Sequence, residues 1–157
     1  MRKISVFIFI SMLIYNSAYA GRPLSVEDAT VAGKGALEAE ISAEYARQDN
    51  KDNSYTFSFV PVYGLTQNLE FAVELPLNVI SPKEDPTEGG LGDMALVLKT
   101  LIFPETEKIP AFLLKTGVKL ATGDEGKGLG SGDEDIDFTL AVTKTIGPFT
   151  MHGNIGY

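Results

Sequence analysis

Leu69-Glu70-Phe71-Ala72-Val73-Glu74-Leu75-Pro76-Leu77-Asn78 decides how the rest of this chain is read. Leu69, Phe71, Val73, Leu75 and Leu77 alternate with Glu70, Ala72, Glu74, Pro76 and Asn78. A period of two sorts these sets onto opposite faces of a pleated strand, whereas a helix would scatter both around its circumference. Pro76 cannot donate to a ladder, and the reading places it near the strand end, where the loss matters least.

The same period runs outward in both directions. Upstream, Tyr55, Phe57 and Phe59 alternate with Thr56, Ser58 and Val60, and Pro61 again falls near the end of the run. Aromatic and β-branched residues suit a pleated surface. From Ala36 to Arg47, Leu37, Ala39, Ile41, Ala43 and Tyr45 alternate with Glu38, Glu40, Ser42, Glu44 and Ala46. A helix competes here, because Ala, Leu and Glu are good helix formers. A strand is preferred because it gathers the glutamates on one face. Downstream, Met94, Leu96, Leu98 and Ile102 oppose Ala95, Val97 and Lys99, and Phe112, Leu114, Thr116, Val118 and Leu120 oppose Leu113, Lys115, Gly117 and Lys119. Two further runs begin at Ile136 and Phe149, the second carrying His152 on its polar side. The expectation is an all-β antiparallel meander of seven strands over residues 36–157, each near the ~9–11 residues of a tilted membrane strand.

Loop lengths choose between a membrane barrel and a soluble sandwich. The connections at 48–54, 79–92 and 122–135 are the longer ones, and those at 64–68, 104–109 and 147–148 are short. Outer-membrane barrels alternate short periplasmic turns with longer external loops. One orientation, with the N-terminus periplasmic, satisfies all six. Aromatic residues near strand ends (Tyr45, Tyr55, Tyr63, Phe71, Phe103, Phe112 and Phe149) match interfacial girdles. Seven is odd, whereas bacterial single-chain barrels have even strand numbers. The expectation is therefore a partial barrel, C-terminally incomplete, with closure by oligomerisation as the alternative.

The N-terminus points to export. Arg2 and Lys3 precede an apolar run from Ile4 to Ile14, and Ala18-Tyr19-Ala20 fits the small-x-small cleavage pattern. The run is shorter than the ~20 residues of a spanning helix, so residues 1–20 read as a cleaved signal peptide, with a retained anchor as the alternative. Residues 21–35 lack a period and read as a periplasmic leader. The chain's net charge is −8, and the signal holds two basic residues and no acid, so the remainder carries −10. That acidity disfavours nucleic acid as a partner. With no cysteine, the exported chain relies on burial and hydrogen bonding. The expected location is the outer membrane of a Gram-negative cell, with membrane lipid as a partner.

Three segments carry a family likeness. They are Tyr63-Gly64-Leu65-Thr66-Gln67-Asn68-Leu69-Glu70; Gly89-Gly90-Leu91-Gly92-Asp93 leading into Met94-Ala95-Leu96-Val97-Leu98-Lys99; and Pro110-Ala111-Phe112 through Gly117-Val118-Lys119-Leu120-Ala121-Thr122-Gly123-Asp124 into Lys127-Gly128-Leu129-Gly130-Ser131-Gly132. Together they resemble the outer-membrane family named for the meta-pathway of phenol degradation, over most of residues 36–157. The resemblance implies an outer-membrane β-barrel that admits hydrophobic or aromatic compounds and whose members continue beyond the last strand read here. Ala121 stands where the family often has proline. The resemblance supplies no catalytic residues.

Glu38, Glu40, Glu44, Glu70, Glu74, Lys99, Lys115, Lys119 and His152 all fall on the polar side and are the candidate channel-lining residues. They either impose a field on what passes or plug the interior with salt bridges, as small barrels do. His152 is the only histidine, and without a G-x-S-x-G elbow no catalytic role is expected of it. The loop holding Asp124, Glu125, Asp133, Glu134 and Asp135 offers carboxylates to calcium, but its spacing matches neither the EF-hand nor the nonapeptide repeat. The expectation is a mobile solvated loop, with no cofactor and no metal centre. The leading functional expectation is a passive channel or uptake protein for small, in particular hydrophobic or aromatic, molecules. A non-transporting barrel acting through its loops and a soluble exported β-sandwich are the alternatives.

Overall fold

The computed structural model describes residues 26–47, 53–83 and 85–157. The expected signal peptide, the start of the expected leader and most of the first loop lie outside the described residues. The strands are β1 (Leu37–Arg47), β2 (Asn53–Gly64), β3 (Leu69–Ser81), β4 (Glu88–Leu91), β5 (Met94–Phe103), β6 (Ala111–Leu120), β7 (Asp135–Ile146) and β8 (Phe149–Gly156), with a short 3-10 turn at Glu125–Lys127. They form one antiparallel sheet in the order β1-β2-β3-β5-β6-β7-β8, curled into a half-barrel. Among the described residues no helix is long and apolar enough to cross a membrane.

The extra strand β4 lies in the segment read as the loop 79–92. It pairs with Leu77–Ile80, while β5 pairs with Leu69–Glu74, so both lie against β3. They are two halves of one strand interrupted at Gly92-Asp93, where the Gly92 N–H donates to the Pro76 carbonyl at 2.9 Å. The seven-strand meander is thus kept, but β3 runs on to Ser81 and Pro76 stands well inside it. Pro61 does what a residue without an N–H must do: the β2–β3 ladder registers Phe59 with Leu75 and Val62 with Ala72, and skips the two positions between. An irregularity between Leu101 and Phe103 brings Phe103 opposite Phe112.

Opposed residues of an antiparallel pair share a face. The register therefore runs Glu38–Val62–Ala72–Val97–Gly117–Asp137 along one row, and Glu70–Lys99–Lys115–Thr139–Gly156 along the next. The expected sorting into two faces holds across the sheet. What the polar side carries is richer than expected, because the buried residues of the molecule lie on it. Val62, Ala72, Val97, Ala111, Leu113 and Ala141 are all buried there, near the short-turn end. Their cover is the segment Val26–Ala36, which packs Ala29 against Ala111, Leu113 and Ala141, and Ala32 against Val62, Ala72 and Val97. Small side chains on both sides let a backbone approach the sheet closely. The opposite, apolar face is bare: Ile41 is 81% exposed, and Phe57, Phe59, Phe138 and Ile155 are exposed as well.

Candidate functional site

Val26–Ala36, part of what the sequence suggests is a periplasmic leader, crosses the inner face at the turn end as a strap. Its C-terminal part is tied to the end of β2, the Gly35 N–H donating to the Gly64 carbonyl at 2.7 Å and the Gly64 N–H to the Ala36 carbonyl at 3.0 Å. Further along, the Ala32 N–H donates to Glu70 Oε2 at 2.5 Å on β3. The Ala29 N–H donates to Thr143 Oγ1 at 2.8 Å on β7. The strap thus spans the sheet from β2 to β7.

Glu27 explains why the strap settles there. Lys99 and Lys115 face each other directly on β5 and β6, and like charges opposite one another are destabilising. Glu27 supplies the missing anion, with Oε1 2.6 Å from Lys99 Nζ and Oε2 3.4 Å from Lys115 Nζ. Glu70 lies 3.7 Å from Lys99 on the other side. The side chains of this cluster retain less than a quarter of their exposure, so the attraction is screened less than at an open surface. No described buried side-chain nitrogen or oxygen lacks a hydrogen-bond partner.

The nine candidate lining residues do share this face, but they divide into groups. Glu70, Lys99 and Lys115 belong to the strap cluster, and His152 joins it through Nδ1, 2.9 Å from Thr143 Oγ1. Glu74 and Lys119 sit further toward the loop end, in the row Glu74–Ala95–Lys119–Asp135. Glu38, Glu40 and Glu44 are exposed on β1. Glu27 was not legible as a partner, since a single acid in an aperiodic stretch carries no signal. Thr143, one of several threonines in a strand of alternating pattern, carries no sequence signal of its own either.

At the loop end, the segment after β6 is more built than a mobile solvated loop. Asp93, in the break between β4 and β5, accepts from the Gly123 N–H at 2.9 Å through Oδ1. Its Oδ2 accepts from the Ser131 N–H at 2.7 Å and hydroxyl at 2.8 Å. These donors, the Ser131 and Gly123 amides foremost, hold the Asp93 carboxyl below its ordinary value. Between them the chain turns through Asp124, which caps the short 3-10 turn, and Gly128, at φ +70°. Leu129 is then only 4% exposed, with its carbonyl accepting from Asn78 Nδ2 at 2.9 Å. The anchoring carboxylate, Asp93, is thus drawn from one of the segments carrying the family likeness, and its donors from another. The acids of the loop itself do not converge: among the described residues no group of three or more His, Cys, Asp or Glu side chains could hold a metal ion.

Charges on the outer face keep to the strand ends. Along the described strands they are Arg47, at the loop end of β1, and Lys144, near the turn end of β7. Lys144 Nζ reaches Glu105 Oε1 at 3.0 Å and the Thr106 carbonyl at 2.7 Å. The Thr145 N–H, followed by Lys144, lowers the Glu105 carboxyl from its ordinary value. Aromatic pairs mark both ends: Tyr45 and Tyr55 have ring centroids 5.2 Å apart at the loop end, and Phe103 meets Phe112 edge-on at 6.2 Å at the turn end.

A family model described as "Putative MetA-pathway of phenol degradation" matches residues 20–157. No curated protein matches the chain.

Proposed function

On the premise that the chain belongs to that family, we propose that it is a passive outer-membrane channel or uptake barrel for small molecules, hydrophobic or aromatic compounds in particular, and not an enzyme. The observation that carries this reading is which face is covered. A soluble sandwich buries its apolar face against a second sheet. Here the strap covers part of the polar face, and the apolar face stays bare from Ile41 on β1 to Ile155 on β8. A contiguous apolar surface of that kind calls for an apolar neighbour. Lipid supplies one, with aromatic rings at both margins and charges held to the ends.

The two ends also fit. Along β2, Tyr55 and Tyr63 are eight residues apart, which is ~27 Å of strand. At a tilt of ~40° this projects to ~20 Å, close to the ~25 Å apolar band of such barrels. On this reading the short turns are periplasmic, the longer loops external, and the cleaved signal delivers the chain. The test is to reconstitute the full-length protein in planar bilayers and in liposomes. Stepwise conductance or uptake of aromatic solutes is expected, and their joint absence refutes transport. The strap favours a second reading, a plugged barrel acting through its loops. Removing residues 122–135 then abolishes partner binding without changing permeability. A protein released from membranes by carbonate would refute both.

A further inference from the structure

We propose that Val26–Ala36 is a removable strap, closed by the Glu27 latch, and not a fixed part of the wall. That its release opens a pathway rests on the channel reading above; the release itself does not.

Four features carry this. First, the strap is not sewn into the sheet. From Val26 to Lys34 it makes no ladder with any strand, and its two N–H bonds to the sheet, from Ala29 and Ala32, end on side chains. It can leave without breaking a strand pairing. Second, its buried apolar contacts are small, being the side chains of Ala29 and Ala32 with shares of Val31 and Ala36. Third, its root is built to bend. Gly35 has φ +76°, and a side chain added at Gly33 or Gly35 would meet nothing within 4 Å. Fourth, the charge that closes the strap comes from one residue. Glu27 alone bridges Lys99 and Lys115, which repel when it leaves. Lys99 keeps Glu70 as a partner in the released state. A fixed wall would show the opposite pattern, with backbone pairing along its length and adhesion shared among many residues.

The experiment uses the absence of cysteine from residues 1–157, with any cysteine elsewhere in the full-length protein replaced by serine. Ala29 is buried on the strap's underside, against the sheet, so Ala29→Cys in the full-length, reconstituted protein reacts with a water-soluble maleimide only when the strap lifts. Adding Glu27→Gln removes the bridge and should speed labelling about tenfold. Gly64→Ala tests the same motion from below without touching the latch, because its new methyl would land on the backbone oxygens of Gly33 and Ala32; it too should speed labelling. Holding Ala29→Cys to Thr143→Cys with a short thiol cross-linker should lower conductance relative to the same protein before linking.

Labelling equally slow in all three proteins, each shown to be folded by its heat-modifiable migration, would overturn the proposal. Conductance that the cross-link does not change would overturn the claim that release opens the pathway. Faster labelling in the variants with no conductance in any protein supports the latch and removes the channel reading.

Discussion

Replacing Ile41 with arginine separates lipid from water as the neighbour of the outer face. Ile41 is 81% exposed and Leu37, on the same face of the same strand, is 78% exposed. In water both substitutions remove little packing, and each should change stability by no more than ~0.5 kcal/mol. In lipid the two positions differ in depth. Leu37 pairs with Tyr63 and Tyr45 pairs with Tyr55, so Ile41 lies four residues from each aromatic margin. Four residues are ~14 Å of strand, or ~10 Å of depth at a ~40° tilt, which puts Ile41 near the centre of a ~25 Å band. Arginine there costs about 2–4 kcal/mol, and at the margin about 0–1. Ile41→Arg should therefore be less stable than Leu37→Arg by about 2–3 kcal/mol. The chain has no tryptophan, so unfolding by urea from lipid vesicles is best followed by circular dichroism and gel migration. A slope of about 2 kcal/mol per M turns that difference into a midpoint shift of about 1 M or more. Equal midpoints for the two variants would refute a lipid-facing outer surface.

Three other outcomes follow. Asp93→Ala should free the loop after β6 and speed tryptic cleavage at Lys127, with the sheet's circular dichroism unchanged; unchanged cleavage would show that the loop holds itself. Since the Asp93 carboxyl lies below its ordinary value, its contribution is complete above the ordinary Asp value of ~3.9 and is lost as pH falls through the lower folded value. Exchange of the Ser131 amide, corrected for its intrinsic pH dependence, should stay constant from pH 7 to 5 and rise only in stronger acid. Thr143→Val removes the acceptor of the buried Ala29 N–H, a loss of about 1–3 kcal/mol. It should appear as faster exchange at Ala29, with little change in global unfolding; a matching fall in global stability would show that the strap and sheet unfold together.

The sheet was legible because each strand states its own case. Leu69–Leu77 and Leu37–Tyr45 alternate strictly, and the register then carries that alternation from strand to strand. Glu88–Leu91 was not legible, because Glu-Gly-Gly-Leu has no strand pattern and pairs only because β3 runs on beside it. Pro76 was misplaced for the same reason. The residues of the polar side share one face, as their alternation implies, but their partners were not legible. Val26–Ala36 has no period of its own, and its course is dictated by Glu70, Lys99, Lys115 and Thr143, which are far away in sequence. The ordered loop after β6 depended on Asp93, thirty residues before Gly123, and nothing in the glycine-rich stretch names that partner.

The strap also sets an order of assembly. Neighbouring strands close through hairpins and can form as the chain is laid down, but the Ala32–Glu70 and Ala29–Thr143 bonds span 38 and 114 residues. The entropy of closing a loop rises with its length, and contacts of long separation slow folding. The Ala29 bond cannot form until β7 is in place, so the strap docks last. Until then Lys99 and Lys115 face each other without Glu27, and the half-barrel holds a hydrated inner face. The earliest described residues of the chain thus complete the structure after nearly all the strands that follow them.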